Sequence, residues 1–222
     1  MQLFDTAPTP AQDALNFPQS LTEKYRPRRV ADFVGLEAPK KLCAKLAARP
    51  YESAWFFLGS SGTGKTTLAL ALAEEMRAEL HHIPSQECNV ANIERVVRTC
   101  QYVPRLGCTF HMVLIEEADQ MTPAAQIALL SLLDATNFPP KTIFIFTANA
   151  TDRLEPRFMS RVRVVEFKSY GIAPEAAALL ERVWNAEHVD GGDAPNFARI
   201  VKDAKNNVRE SLMELELALM LA

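Results

Sequence analysis

The 222-residue sequence is 48% apolar and 23% charged, the balance of an ordinary globular protein, and its length suits one large domain or a medium domain plus a small one. A net charge of −3 and a pI of about 5.9 argue against a monomer that coats nucleic acid by bulk charge. No apolar run approaches the ~20 residues that cross a bilayer, and the start, Met1-Gln2-Leu3-Phe4-Asp5, lacks the basic and apolar segments of a signal peptide, so a cytoplasmic protein is expected.

Residues 1–20 contain Pro8, Pro10 and Pro18 without periodicity and read as a flexible arm. Tyr25-Arg26-Pro27 is expected to be extended, because a residue before proline avoids the helical region. Residues 36–48 read as a helix with Leu42, Leu46 and Ala47 as core candidates. Lys24, Arg26, Arg28, Arg29, Lys40, Lys41, Lys45 and Arg49 crowd this region; a solvated face and a functional basic patch stand as equal readings.

The apolar run 54–58 reads as a buried strand, and the stretch from Thr67 to Met76 as a helix. Between them lies Gly59-Ser60-Ser61-Gly62-Thr63-Gly64-Lys65-Thr66, a full match to the pattern Gly, four residues, Gly-Lys-Ser/Thr. The glycines let backbone N–H groups turn toward an anion, and the following helix points its positive end at the same place. In such a loop Lys65 reaches the β- and γ-phosphates of a nucleotide and the Thr66 hydroxyl binds Mg2+.

Residues 79–84 form a short strand in this reading. Residues 90–101 form an amphipathic helix, with Ile93, Val96, Val97 and Cys100 on one face and Arg95 and Arg98 off that stripe. The apolar run 109–115 ends in Glu116-Glu117-Ala118-Asp119. A buried strand that delivers carboxylates at its C-terminal end is the second half of a nucleoside-triphosphate site. A helix over 122–135 with Pro123 in its first turn, a strand over 142–147, a short helix at 156–160 and a strand at 162–167 complete the alternation.

From residue 170 only helices are expected, at 173–188, 194–204 and 207–221, with a break at Gly191-Gly192. The fold class is therefore α/β: a P-loop parallel sheet flanked by helices, followed by a small all-helical domain. The expected division is an arm at 1–20, a nucleotide-binding domain at 21–168 and a helical lid at 169–222. The last helix is apolar on more than one face, with Met213, Leu217 and Met220 beside Val208, Leu212, Leu215 and Leu219. Burial against the other two lid helices is the simpler account, and a contact with a neighbouring subunit the sharper one. Cys43, Cys88, Cys100 and Cys108 form no Cys-x-x-Cys pair and give little support for zinc; His81-His82 near Cys88 reads as an ordinary strand end.

Several of these segments together resemble one family. Over residues 21–221 the chain looks like an AAA+ ATPase, and within that group like the clamp-loader small subunits of the replication factor C type. Leu21-Thr22-Glu23-Lys24-Tyr25-Arg26-Pro27 is similar to the family's adenine-contacting stretch, and Val34-Gly35 to the segment that closes over the base. The resemblance thus implies nucleotide contacts from Tyr25, Arg26, Pro27 and Val34, beside the loop residues Gly59 to Thr66 and Thr67. Ile115-Glu116-Glu117-Ala118-Asp119 resembles the Walker B box, with Glu116 where the family usually has aspartate. That position implies Mg2+ binding together with Thr66, and Glu117 matches the residue that activates the attacking water. Asn149 resembles sensor 1 and Arg209 sensor 2, while Ser160-Arg161-Val162 resembles the motif whose arginine acts in the ATP site of the next subunit. Arg157 lies close enough in sequence to share that role.

The family contacts DNA partly through the helix matching 90–101, which makes Arg95 and Arg98 candidate phosphate contacts; a solvated face is the equal alternative. Leu130 and Ser131 stand where eukaryotic-type relatives often carry two arginines, so that pair's role does not transfer. No stretch corresponds to the family's C-terminal collar. The expected activity is hydrolysis of ATP with Mg2+ by an oligomer of AAA+ subunits, coupled to assembly on primer–template DNA with a sliding clamp. Two alternatives are a remodeller of a protein partner without DNA and a weakly hydrolysing, nucleotide-bound structural subunit.

Overall fold

A computed structural model describes residues 19–187 and 193–221. The expected arm up to residue 18, the Gly191-Gly192 break and the expected helix end at His188 lie outside the described residues.

Five parallel strands form one sheet: β1 (Ser53–Gly59), β2 (Glu79–Ile83), β3 (His111–Ile115), β4 (Thr142–Ala148) and β5 (Arg163–Phe167), in the order β2-β3-β4-β1-β5. Exposure follows this order. The interior strands β3 and β4 are buried at every position, as their unbroken apolar runs require of strands covered on both faces. The edge strands β2 and β5 expose some positions.

The two-residue period of the strands divides their side chains between two cores. Phe56, Val113, Ile115, Phe144 and Phe146 face one layer, built by α4 (Val90–Cys100), α5 (Pro123–Leu132) and α6 (Pro156–Met159). Trp55, Phe57, Met112, Leu114, Ile143 and Ile145 face the other, built by α2 (Glu37–Ala48) and α3 (Lys65–Glu75). On α4 the predicted stripe Ile93, Val96, Val97 and Cys100 is buried throughout. On α2 the fully buried side chain is Cys43 rather than Leu42 or Ala47, which pack only partly.

Two differences from expectation bear on function. Tyr25 is not extended: Leu21–Lys24 forms a short helix, α1, and Tyr25 closes it at φ −101°, ψ 16°. Proline restrains only its immediate predecessor, Arg26, so the turn at Tyr25 costs nothing. The C-terminal helices α7 (Ala173–Glu187), α8 (Phe197–Asp203) and α9 (Val208–Leu221) share a separate core of Leu180, Val183, Trp184, Val201, Leu212 and Leu215, which Leu21 of α1 joins. Only one side of α9 is used: Met213, Leu217 and Met220 are exposed, because α7 and α8 cover the opposite side.

Phe146 is the aromatic centre of the first core, stacked beside Phe56 and Phe144 and edge-on to Phe158 at 5.0 Å. Phe146→Ala is expected to lower unfolding free energy in urea by about 3–5 kcal/mol. Val164→Ala, at an exposed position of edge strand β5, is expected to stay within about 0.5 kcal/mol.

Candidate active site

The site lies at the C-terminal ends of the strands. β1 runs into the glycine-rich loop, where Gly62 and Gly64 have φ of 75° and 88°. Both values favour glycine, and at Gly62 a Cβ would also come within 2.0 Å of Asn207 Oδ1. α3 starts at Lys65, two residues earlier than the sequence suggests, since the Gly64 carbonyl already accepts the Leu68 N–H at 2.8 Å. The orphan N–H groups of this first turn therefore belong to the loop itself.

The Lys65 ammonium folds back over the loop. It donates to the Gly59 carbonyl at 2.7 Å, the Ser60 carbonyl at 2.9 Å and Asn149 Oδ1 at 2.9 Å. The last of these joins the loop to the end of β4. Burial pushes the Lys65 pKa down to about 8; Asp119 and Glu117 pull it up, and Arg209 adds to the depression. Thr63 closes the loop from within by donating to the Ser60 carbonyl at 2.8 Å.

Two strands away, β3 delivers the carboxylates. The Glu116 N–H extends the sheet to the Ile83 carbonyl, and its Oε2 lies 3.0 Å from His82 Nε2. Glu117 sits in the left-handed region at φ 47°, ψ 49°, and accepts the Ser85 hydroxyl at 3.1 Å. A non-glycine residue held there stores strain of about 1–3 kcal/mol, which the surrounding structure must enforce. Among the described residues Asp119 Oδ1 is buried without a hydrogen-bond partner, an acceptor oxygen close enough to act on the Lys65 charge.

Two cavities meet over the loop. The polar one is lined by Ser61, Lys65, Thr66, Glu116, Glu117, Thr147 and Asn149. The more apolar one is lined by Tyr25, Pro27, Phe33, Val34, Leu36, Leu179, Val208 and Leu212. Arg26, Gly62, Gly64, Thr67 and Arg209 line both. The combined shape has an apolar end and a cationic, carboxylate-flanked end. Thr66 hydroxyl and Glu116 carboxylate on one wall are hard oxygen donors, the chemistry that suits Mg2+.

The N-terminal segment reaches this site through bonds to the C-terminal helices. Tyr25 Oη donates to Glu187, which also pairs with Lys24 at 2.7 Å; the Gly35 N–H donates to Glu175 at 2.6 Å, and the Leu21 N–H to Glu216 at 3.2 Å. Burial, then the hydrogen bond and the charge of Glu187, push the Tyr25 pKa up to about 12. Residues 21–35 are thus clamped between the sheet and the helices.

Arg161 is not brought into this cleft. It lies beside Ser53, where β1 begins, donating to Asp134 at 2.7 Å and to the Arg157 carbonyl at 2.9 Å. Arg95 and Arg98 are exposed on α4, and Arg98 pairs with Glu94 at 3.3 Å. Sequence reasoning missed Asn207, which caps the start of α9 through the Glu210 N–H and presses on Gly62. Its place two residues before Arg209 was the available signal. It also missed Asp119 as a charge partner of Lys65 and Glu187 as the anchor of Tyr25.

Residues 55–170 match the ATPase family associated with various cellular activities (AAA). The chain is 34% identical over 152 residues to replication factor C small subunit 1 of Pyrobaculum islandicum, covering 65% of this chain and 46% of that protein. It is 30% identical over 208 residues to the replication factor C small subunit of Thermofilum pendens, covering 88% and 61% respectively. It thus spans less than two thirds of the length of these relatives. Among solved structures, the RuvB Holliday junction branch migration motor of Thermotoga maritima shares the fold, with a TM-score of 0.70 at 18% identity over 86% of this chain and 64% of that one. The glycine-rich loop, the carboxylate-tipped third strand and this match over more than half the sequence place the chain in the ATPase family associated with various cellular activities (AAA).

Proposed function

We propose that the chain binds ATP with its base in the apolar cavity and its phosphates in the polar cleft, and hydrolyses it to ADP and phosphate. The observation that carries this reading is the continuity of the two cavities through Arg26, Gly62, Gly64, Thr67 and Arg209, with Lys65 and Asn149 bonded at the phosphate end. Lys65 and the loop amides hold the phosphates; Asn149 and Arg209 sense the terminal one. Glu117 orients the attacking water and takes its proton. Thr66 and Glu116 are the residues to hold Mg2+, which supplies charge neutralisation at the phosphates when bound. Residues 169–222 act as a lid over the base, and residues 21–168 as the nucleotide-binding domain.

Because Arg161 lies at the far end of β1 from its own loop, its role is assigned to the site of a neighbouring subunit. A guanidinium is always charged and matches phosphate oxygens in a fixed fork. The biological setting proposed is a clamp-loader-like ATPase that assembles with other AAA+ subunits and acts on primer–template DNA with a sliding clamp. The relatives named replication factor C small subunit support it. Arg95 and Arg98, exposed on α4, are the candidate DNA contacts. A weakly hydrolysing structural subunit is the second reading, favoured by the hold of His82 on Glu116 at 3.0 Å.

Lys65→Ala is expected to abolish ATP binding in calorimetry, whereas Glu117→Gln is expected to bind ATP yet lose at least about 100-fold in turnover; full turnover by the Glu117 variant removes its role. Arg161→Ala alone is expected to be inactive and to recover hydrolysis when mixed with Glu117→Gln, since one interface then holds both intact groups. An Arg161→Ala protein that is fully active by itself ends the trans assignment. Primer–template DNA and a clamp, added singly and together to the ATPase assay, are expected to stimulate turnover. Hydrolysis indifferent to both points to a protein remodeller, and no hydrolysis at any concentration to the structural subunit.

A further inference from the structure

Far from the phosphate loop, the edge of the sheet gathers a second set of chemically capable side chains. β2 and β3 pair in parallel with Glu79 opposite His111, so Glu79, His81 and His111 share one face of the sheet. α4 ends over that face at Cys100. His81, Cys100 and His111 each present one donor atom, and the three atoms lie within 4.8 Å of one another. Cys100 and His111 are buried, at 0% and 1% exposure, while His81 is half-buried at the edge, which leaves a way in. The Glu79 carboxylate lies 3.5 Å from His111 Nδ1 and is held there by the Arg105 N–H at 2.7 Å.

The hydrogen bonds fix how these atoms face. Tyr102 O, a carbonyl and so only an acceptor, lies 3.0 Å from His111 Nε2. In the neutral imidazole this places the proton on Nε2 and turns the Nδ1 lone pair toward the cluster. A carbonyl that accepts the proton of the far nitrogen is the usual support of a metal-bound histidine. His81 Nε2 lies 3.0 Å from that same Nδ1, so the two rings already face each other across the cluster. A lone pair on His111 Nδ1, the His81 Nε2 and the Cys100 sulfur thus converge at the sheet edge, with the Glu79 carboxylate on the His111 side.

We propose that His81, His111 and Cys100 form a zinc site, with Glu79 beside its fourth position. Two imidazoles and one sulfur are a donor set that suits Zn2+ among common divalent ions. On binding, the Cys100 S–H bond breaks, a Zn–S bond forms and the proton leaves to solvent. His81 moves its ring proton from Nε2 to Nδ1, so that both imidazole lone pairs face the ion. Such an ion ties edge strand β2 to β3 and to the C-terminal end of α4. The site is separate from the nucleotide cleft: His111 begins β3, roughly 13 Å along the strand from Ile115. The sequence offered His81-His82 beside Cys88; the partner is instead Cys100, because α4 returns its last residue to the start of β3.

The test is titration of the chelator-treated, full-length chain with Co2+ and then Zn2+ in Mg2+-free buffer. The expected result is one tight equivalent, a thiolate-to-cobalt charge-transfer band and the intense visible bands of a tetrahedral ion, all displaced by Zn2+. The band reports sulfur, so cobalt held by Thr66 and Glu116 cannot produce it. His81→Gln, at the half-buried edge position, and Cys100→Ala are each expected to weaken binding at least about 10-fold. Zn2+ is expected to raise the melting temperature of the parent chain but not of His81→Gln. Absence of the sulfur band in the parent, or a band that survives undiminished in both folded variants, overturns the site and leaves a histidine–histidine hydrogen bond in its place.

Discussion

One buried ammonium holds the candidate active site together. Lys65 is 9% exposed, and its three hydrogen bonds tie the first turn of α3, both ends of the loop's opening stretch and the tip of β4 into one unit. Holding the charge there is costly. A pKa lowered from 10.5 to about 8 corresponds to a cost on the order of 3 kcal/mol. The sign follows from the direction: this cost is fully present below about pH 8 and fades as pH rises toward the unfolded value. The three hydrogen bonds hold the ammonium in place against that cost. The arrangement keeps an under-solvated cation where phosphates are to sit, so that on the proposed reading the anion replaces carbonyl contacts rather than bulk water.

The parts of this fold that follow from local pattern were readable in advance. The unbroken apolar runs of β1, β3 and β4 announced strands buried on both faces, and Ile93, Val96, Val97 and Cys100 announced the inner face of α4. The loop was legible because its chemistry is contiguous: glycines, lysine and threonine act within eight residues. What was not legible depends on pairing across distance. The turn at Tyr25 is set by α1 docking on the C-terminal core through Leu21, a contact between segments far apart in the chain. Glu187, Glu175 and Glu216 look like surface carboxylates in sequence and become anchors only when α7 and α9 stand beside residues 21–35. The His81, Cys100 and His111 cluster has no compact spacing at all. The β2–β3 register and the length of α4 create it.

The exposed side of α9 shows the same limit from another direction. Its sequence carries apolar residues on more than one face, and burial within the helical region was the simpler expectation. Three helices arranged around Leu180, Val201 and Leu215 can cover only the inward arc of each, so Met213, Leu217 and Met220 remain outside. Composition counts apolar residues; packing geometry decides how many faces a helix can hide.

On the proposed reading of residues 169–222 as a lid, the bonds of the N-terminal segment define what its movement would require. The apolar cavity is half lid: Leu179, Val208 and Leu212 face Tyr25, Pro27 and Val34 across it. Glu175, Glu187 and Glu216 fasten residues 21–35 to the helices. On that reading these residues travel with the lid, and Gly62 against Asn207 is a close contact between the C-terminal helices and the glycine-rich loop. Asn207 caps α9, and Arg209 lines the cleft two residues later. The glycine-rich loop thus meets α9 at its first turn, through the residue that caps the helix. On the proposed reading, coupling between nucleotide and lid runs through that contact and Arg209, because the bonds from Glu175, Glu187 and Glu216 hold residues 21–35 and not the glycine-rich loop.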